Sequence, residues 1–277
     1  MNHTHFEVRY TSNPLDFKNY DTQRIRQDFL IQNLMEPNKI NLVYSHYDRY
    51  IAGGVIPQNG PLRLETIDPL KADYFLERRE LGIINIGLPG KVEVDGVSFN
   101  IGHKEALYVG RGNKEVIFSG EGARYYLNSA TAHHSYPSKL ITQADAEVVE
   151  LGALKTSNTR TIRKLIVNSV VDTCQLQMGM TELKEGSVWN TMPAHIHDRR
   201  MEIYLYFEVP ENQAVCHFMG EKEETRGIWL ENEQAVISPP WSMHCGSGTS
   251  NYTFIWGMCG ENLDYGDMDG FSPSEIR

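Results

Sequence analysis

Short segments of alternating apolar and polar residues, separated by glycine, proline and asparagine, recur along most of this sequence. The clearest pair comprises residues 91–94 and 97–101, which flank Asp95-Gly96. An Asp-Gly pair between two alternating runs predicts a β-hairpin, because both turn residues must tolerate positive φ. Many short strands with such turn residues between them indicate an all-β sandwich or barrel.

The first 36 residues have a different pattern, which predicts a polar arm with one helix. Asp21-Thr22 is a candidate N-cap, and Ile25 and Phe29 lie four residues apart on one helical face. Residues 136–161 are less regular, and the polar stretch at 156–160 is typical of a linker or surface loop.

Strand-like runs resume after that stretch and end before a polar tail, which we expect on the surface. A length of 277 residues suits two domains or one large β domain. We therefore predict two domains. Residues 1–155 form the arm and a first barrel, and residues 156–277 form a second barrel and the tail.

A short internal repeat supports two halves of similar plan. Glu-Arg-Arg at 77–79 and Asp-Arg-Arg at 198–200 each precede a strand-like run. Later in each half, Ala-Leu-Tyr-Val at 106–109 parallels Ala-Val-Ile-Ser at 235–238. Repetition of this kind predicts two β-barrels that share one topology.

Composition excludes several classes of partner. The formal net charge is -10, from 26 Lys and Arg against 36 Asp and Glu. An acidic chain without a basic cluster is a poor ligand for nucleic acid or an anionic membrane, and we expect neither as a partner. No apolar run approaches the length of a membrane helix, and no export signal is apparent. Four cysteines without a CxxC pair favour free thiols, so we expect a cytoplasmic protein.

The residues that carry chemistry lie in the second half. His195 and His197 are two apart, so in a strand they share one face. Glu202 begins the next strand-like run, and the distant His244 can supply a fourth ligand. Imidazoles and a carboxylate converging inside a small barrel suit zinc, iron, nickel or manganese. An isolated histidine such as His217 is more often an ordinary surface or core residue.

The spacing HxH, four residues, Glu, then a distant His resembles the metal motif of the cupin superfamily. Four longer motifs resemble the 5-keto-4-deoxyuronate isomerase family, also called 4-deoxy-L-threo-5-hexosulose-uronate ketol-isomerase. They are YFLERRELG at 74–82, WNTMP at 189–193, EQAVISP at 233–239 and FIWGM at 254–258. This resemblance extends from Asp21 to about Asp269.

The resemblance implies an all-β fold of two cupin-type barrels, a bicupin, with a short N-terminal helical arm. It also implies a homo-hexamer with one Zn²⁺ per subunit. The zinc ligands then fall on His195, His197, Glu202 and His244, the four residues that the spacing selects. The implied reaction converts 5-dehydro-4-deoxy-D-glucuronate to 3-deoxy-D-glycero-2,5-hexodiulosonate. This aldose–ketose isomerisation proceeds through a zinc-stabilised enediolate and belongs to the degradation of pectin and other uronates.

The base and the substrate contacts are less well defined by the sequence. Glu202 is a candidate general base, and Tyr204 and Tyr206 share its strand parity, so they are candidates for lining the same cavity. The alternative for both tyrosines is an aromatic core position. The keto-uronate substrate carries a carboxylate, for which arginine is the natural partner. The three candidates are Arg199, Arg200 and Arg226.

The repeat also predicts that the first barrel is degenerate and metal-free. Aligning 77–79 with 198–200 places Tyr74, Leu76 and Leu81 at three of the ligand positions, and the later segment places Glu115 opposite His244. None of the three histidine ligands therefore has a histidine counterpart. We expect this barrel to serve packing or assembly.

Other functions remain open from the residues alone. Two histidines, a glutamate and an iron with open positions would suit a non-haem iron cupin dioxygenase. An isomerase of another sugar, such as a phosphosugar, is a further alternative, although no basic phosphate cluster is present. A non-catalytic, sugar-binding double cupin is the non-enzyme alternative.

Overall fold

A computed structural model describes residues 3–277. The prediction that no export signal is present was made partly from Met1 and Asn2. These two residues lie outside the described residues. Within residues 3–277, no helix is both long and apolar enough to cross a membrane.

The first part of the chain contains two short helices and thirteen strands. In chain order they are β1 (Thr4–Arg9), α1 (Pro14–Phe17), α2 (Thr22–Phe29), β2 (Leu30–Ile31), β3 (Ile40–Ser45), β4 (Ile51–Val55), β5 (Leu62–Arg63), β6 (Arg79–Asn85), β7 (Gly90–Val94), β8 (Val97–Ile101), β9 (Ala106–Val109), β10 (Val116–Ser119), β11 (Tyr125–Thr131), β12 (Lys139–Ile141) and β13 (Glu147–Leu151).

The second part continues with ten strands. They are β14 (Arg160–Ile166), β15 (Gln177–Leu183), β16 (Trp189–Ile196), β17 (Arg200–Phe207), β18 (Val215–Gly220), β19 (Arg226–Leu230), β20 (Gln234–Ser238), β21 (Met243–Gly248), β22 (Thr253–Gly260) and β23 (Asp269–Gly270). The predicted all-β architecture is confirmed. Sequence patterns missed β12 and β13, which lie in or beside the segment expected to be irregular.

The chain divides into two compact units, and each contains strands from two sheets. The first unit includes a seven-stranded sheet, β1-β3-β4-β11-β6-β9-β12, and a four-stranded sheet, β5-β10-β7-β8. The other two sheets are β13-β14-β15-β22-β17-β20-β2 and β19-β18-β21-β16-β23. The first unit comprises residues up to Arg9, Asn33–Glu147 and Lys164–Met178, and the second comprises Tyr10–Gln32, Val148–Arg163 and Gly179–Arg277. The domain boundary between residues 155 and 156 stays a prediction.

The interior of the first unit is an apolar core shared by its two sheets. Leu81 and Leu127 contribute from the larger sheet, and Val92 and Phe118 contribute from the smaller one. All four side chains are almost fully buried. The predicted hairpin, β7 and β8, lies at one end of the smaller sheet. Its turn residues Asp95 and Gly96 have φ of 44° and 83°. Two consecutive positive φ values explain why the turn requires the Asp-Gly pair.

The N-terminal arm contains two helices, not the single helix predicted. In α2 the predicted cap is present, because the Asp21 side chain accepts a hydrogen bond from the Arg24 N–H at 2.8 Å. Ile25 and Phe29 are buried as the spacing predicted. The Phe29 ring packs edge-on against Trp241 with ring centroids 6.3 Å apart, so α2 packs within the second unit.

Strand register confirms the internal repeat. Arg79 and Arg200 are the first residues of β6 and β17, which occupy corresponding positions in the two seven-stranded sheets. The sixth residue of β6 pairs with Ala106, and the sixth residue of β17 pairs with Ala235. The two segments that aligned by sequence therefore occupy the same place in each sheet.

Candidate metal centre

Four side chains, three from strands of two sheets and one from the turn after β16, converge in the second unit. His195 on β16 lies directly opposite His244 on β21 in the antiparallel ladder. Opposite residues in such a ladder bring their side chains together, and these two imidazole centroids are 4.7 Å apart. His197 follows the end of β16, and Glu202 approaches from β17 in the facing sheet.

The donor atoms of these four residues lie within 4.8 Å of one another. A Glu202 Oε2 atom is 3.1 Å from His197 Nε2 and 3.0 Å from His244 Nε2. His244 Nε2 is 3.2 Å from His195 Nε2. Ligands at roughly 2.0–2.2 Å from one tetrahedral ion are separated from each other by about 3.3–3.6 Å. The three short separations are slightly below this range, and all four donors are close enough together that the group could hold one divalent metal ion.

Hydrogen bonds behind the imidazoles orient two of them as ligands. His197 Nδ1 donates to the Arg200 carbonyl at 3.2 Å, because a carbonyl oxygen can only accept. This fixes the proton on Nδ1 and leaves the Nε2 lone pair directed at the cluster. His244 Nδ1 is 3.1 Å from Ser238 Oγ. Contacts of this kind fix ring orientation in metal sites.

The charge state of the cluster also suits a cation. Burial by itself would raise the pKa of Glu202, but His244 and His197 outweigh it and hold that pKa below the usual range. Burial, assisted by His244, lowers the pKa of His195 to about 3. Near neutral pH the cluster therefore presents a carboxylate and at least one neutral imidazole, which are the protonation states that a metal requires.

The cluster opens on a cavity of about 220 Å³. Drug-sized ligands occupy pockets of roughly 300–1,000 Å³, so this cavity suits a smaller metabolite. Its walls combine apolar and aromatic side chains with a few polar groups. Apart from the cluster residues His195, His197 and Glu202, the cavity is lined by Leu151, Arg160, Ile162, Thr181, Thr191, Met192, Pro193, Arg200, Tyr204, Phe254, Trp256, Met258, Tyr265 and Met268.

The two candidate tyrosines occupy different environments. Tyr204 lines the cavity, and its hydroxyl is 3.1 Å from Thr191 Oγ1. Tyr206 does not line it; this side chain is fully buried, and its hydroxyl is 2.8 Å from His217 Nδ1. Burial raises the pKa of both phenols, so both are protonated near neutral pH.

The three candidate arginines are also separated by the structure. Arg200 lines the cavity and forms an ion pair with Asp267 at 2.8 Å. Arg199 points a largely exposed side chain towards Glu261, at 3.8 Å. Arg226 donates to the Lys18 carbonyl. Neither Arg199 nor Arg226 lines the cavity.

Sequence reasoning missed several cavity residues. Arg160 belongs to the stretch interpreted as a linker, and its alternation with Ile162 was the available signal. Thr191 lies inside a quoted motif, yet its positive φ of 52° is not visible in sequence. Tyr265 and Met268 come from the tail that was expected to lie on the surface. Its residue Gly270 pairs instead with His195, so the tail packs beside the candidate metal centre.

Comparison with known proteins identifies the family. The profile of the KduI/IolB family matches residues 30–269. The chain belongs to this family. The family resemblance predicted from the motifs is therefore confirmed.

Relatives within the KduI/IolB family match along nearly the whole chain. A protein of Formosa agariphila is 62% identical, over 99% of this chain and 99% of its own. Another, from Bacteroides thetaiotaomicron, is 57% identical over 96% of each chain. Both carry the name 4-deoxy-L-threo-5-hexosulose-uronate ketol-isomerase, the second with the suffix 1.

Solved structures share the fold at low sequence identity. An IolB-like protein from Salmonella typhimurium LT2 has a TM-score of 0.67 and 13% identity, covering 80% of this chain and 86% of that one. An oxalate decarboxylase from Lactobacillus farciminis has a TM-score of 0.55 and 10% identity, covering 80% and 78%. The predicted bicupin fold is thus confirmed for this member of the KduI/IolB family.

Proposed function

We propose that this protein is a metal-dependent ketol-isomerase that converts 5-dehydro-4-deoxy-D-glucuronate to 3-deoxy-D-glycero-2,5-hexodiulosonate. The observation that carries the proposal is the buried cluster of three histidines and one glutamate at a cavity of about 220 Å³. Full-length relatives that bear the ketol-isomerase name, at 62% and 57% identity, support the reaction and the sugar-acid substrate.

His195, His197, Glu202 and His244 would hold the ion, and we propose Zn²⁺ with one ion per chain. The set of neutral imidazoles with one carboxylate is a common zinc donor set. When bound, a divalent ion supplies Lewis-acid chemistry that offsets the negative charge developing on the substrate's two oxygens. The reaction involves no net redox exchange with the ion, so a metal with a closed d shell suffices.

The isomerisation removes a proton from C2 and delivers one to C1. Two groups on β17 can carry a proton at the cavity, the Glu202 carboxylate and the Tyr204 hydroxyl. Glu202 is ionised and can accept the proton from C2, and the protonated Tyr204 hydroxyl can donate one. Thr191 holds the Tyr204 hydroxyl at 3.1 Å and so fixes the direction of its hydrogen bond.

An apolar wall beside Glu202 excludes water from the reacting carbons. Phe254, Trp256 and Met258 alternate on the cavity face of β22. Their side chains lower the local dielectric, which strengthens interactions between the substrate oxygens and the cluster. They also limit exchange of the transferred proton with solvent.

We also propose a homo-hexamer in the cytoplasm. The assembly is supported by the family resemblance alone. The compartment is supported by four buried, unpaired cysteines, since a reducing environment keeps such thiols free. Sedimentation velocity on the metal-loaded protein tests the assembly, and a species with the mass of any number of chains other than six overturns it.

The decisive experiment measures metal content and keto-uronate turnover together, in wild type and in His197→Ala. We expect one zinc per chain in wild type and loss of both zinc and turnover in the variant. His103→Ala is the matched control, because His103 is exposed and does not belong to the cluster. If wild type binds metal but does not turn over the keto-uronate, the proposed substrate is wrong. Oxygen uptake would then test the dioxygenase alternative. Turnover without metal would refute the metal site.

A further inference from the structure

One arginine on the cavity wall is placed to recognise an anion. Arg160 and Ile162 are alternate residues of β14, and both line the cavity that contains the metal cluster. The Arg160 side chain is partly buried there, and its burial lowers the pKa of the guanidinium. A cation at this depth is stabilised when an anion approaches it.

Apart from the histidines, the side chains that line the cavity include more cations than carboxylates. Among the described residues that line it, the cations other than histidine are Arg160 and Arg200, and the only carboxylate is Glu202 in the metal cluster. Arg200 already forms an ion pair with Asp267 at 2.8 Å and donates to the Tyr265 carbonyl. Within residues 3–277, no Asp or Glu lies at ion-pair distance from Arg160.

Hydrogen bonding leaves part of the Arg160 guanidinium available. One terminal nitrogen of Arg160 donates to the Asn158 carbonyl at 2.9 Å, which anchors the side chain at the start of β14. A guanidinium has five N–H donors in a planar fork, so several remain for another acceptor. Such a fork matches the two oxygens of a carboxylate and binds it with two parallel hydrogen bonds.

We propose that Arg160 binds the carboxylate of the substrate and so selects sugar acids over neutral sugars. The proposal rests on the proposed function, in which the carbonyl end of a six-carbon keto acid faces the metal cluster. The carboxylate lies five carbon–carbon bonds from that end, or about 6 Å in an extended chain with bonds of about 1.5 Å. One small cavity lined by both the cluster and Arg160 can accommodate the two ends of such a molecule.

The assignment differs from the sequence-based candidates. Arg199 and Arg226 lie off the cavity, and Arg200 would have to exchange Asp267 for the substrate. Breaking a buried ion pair is costly, whereas Arg160 has no carboxylate to release. We therefore assign Arg200 to positioning of the tail residues Tyr265 and Asp267, and Arg160 to recognition.

The test compares an acid with its neutral counterpart. The probes are the unreactive analogue of the keto-uronate in which C1 is reduced to an alcohol, and the C6 carboxamide of that analogue. Calorimetric titration of zinc-loaded protein gives a Kd for each, and turnover of the keto-uronate is measured on the same preparations. The variants are Arg160→Gln, Arg160→Lys and Arg200→Lys. The matched control is Arg163→Gln, on the same strand but off the cavity and paired with Glu182.

We expect Arg160→Gln to weaken binding of the acid by about 10–100-fold and binding of the carboxamide by less than about twofold. Arg160→Lys retains charge without the fork, so its loss for the acid is intermediate. Arg163→Gln leaves both Kd values within about twofold of wild type. Zinc content of one ion per chain in every variant shows that the centre is intact.

Two results would overturn the role of Arg160. One is an equal loss for acid and carboxamide in Arg160→Gln. The other is loss of the acid preference in Arg200→Lys while Arg160→Gln retains it. Failure of the proposed function is a different result, namely no turnover by wild type. If wild type then still prefers the acid and Arg160→Gln abolishes that preference, the carboxylate site stands without the isomerase.

Discussion

The two barrels share a strand plan but use the same positions differently. Arg79 and Arg200 open the equivalent strands β6 and β17, and both are buried. Two residues further along, the first barrel has Leu81 and the second has Glu202. Leu81 is fully buried in an apolar core, whereas Glu202 contacts two histidines at 3.0 and 3.1 Å.

The residues that support these positions differ in the same way. Leu81 pairs across the sheet with Val109, and Glu202 pairs with Ser238. Ser238 hydrogen-bonds His244, a contact that a valine cannot make. Alternation of apolar residues is therefore common to both halves, whereas a few polar residues at matched positions of the second half form a cluster that could hold a metal ion.

The largest effect is expected when the second barrel is given the residue of the first. Glu202→Leu removes the carboxylate ligand, so we expect zinc to be lost and kcat to fall by ~10³-fold or more. The metal-free variant should also unfold at a lower temperature than metal-free wild type, because the substitution removes the carboxylate partner of the buried His197 and His244. Elemental analysis, steady-state kinetics and thermal melts measure these quantities. Retained turnover would show that the glutamate is dispensable.

A smaller effect separates the two tyrosines of β17. Tyr204→Phe removes a hydroxyl from the cavity, and we expect kcat to fall by about 10²-fold at unchanged zinc content. Tyr206→Phe removes a hydroxyl that contacts His217 away from the cavity, so its main effect is a loss of about 1 kcal/mol in the free energy of unfolding. Kinetics and chemical denaturation of both variants test this. Equal losses of kcat would contradict the distinction.

Ser238 and Val109 occupy matched positions in the two barrels, so each can be replaced by the residue type of the other. Ser238→Val removes the partner of His244 Nδ1, and we expect zinc affinity to fall by about 10–100-fold. Val109→Ser places a hydroxyl in the apolar core of the first barrel and should cost about 1–3 kcal/mol of stability without changing zinc affinity. Competition with a chelator and urea denaturation provide the two measurements. Weaker zinc binding in Val109→Ser would show that the barrels are not independent in this respect.

The smallest expected difference between the two barrels is in their stability at low pH. In the metal-free protein, burial is the main cause and His244 the second cause that lower the pKa of His195 and of His217 to about 3. Unfolded histidine titrates near ~6.5, so between these values the unfolded chain binds protons that the folded chain does not. The free energy of unfolding therefore falls as pH decreases from about 6.5 to 3. Hydrogen exchange at low pH should show β16 and β18, which carry these two histidines, losing protection before β6 and β9, and the opposite order would refute this.

Local chemistry explains what the sequence predicted well. The Asp95-Gly96 hairpin, the α2 cap at Asp21 and the paired segments of the repeat all depend on neighbouring residues. The four cluster residues were selected by strand parity and spacing, and the structure brings them together. Whether they bind zinc stays a prediction.

Long-range placement explains what was missed. Arg160 reaches the cavity because the sheet that contains β14 also contains β17 and β22, and no local pattern shows which distant strands share a sheet. The tail residues Tyr265 and Met268 are polar-segment residues whose position depends on β23 pairing with β16. Such contacts between distant segments are not visible in residue periodicity.

The pairing of Gly270 with His195 has a consequence for biosynthesis. The strand that carries His195 is flanked by residues that the ribosome adds much later, around Gly270. Tyr265, Asp267 and Met268 complete the wall and hold Arg200 only after they have left the exit tunnel. We expect a nascent chain stalled before this segment to bind zinc weakly and a chain in which this segment has left the tunnel to bind it fully, which makes metal acquisition a step that follows synthesis of the segment.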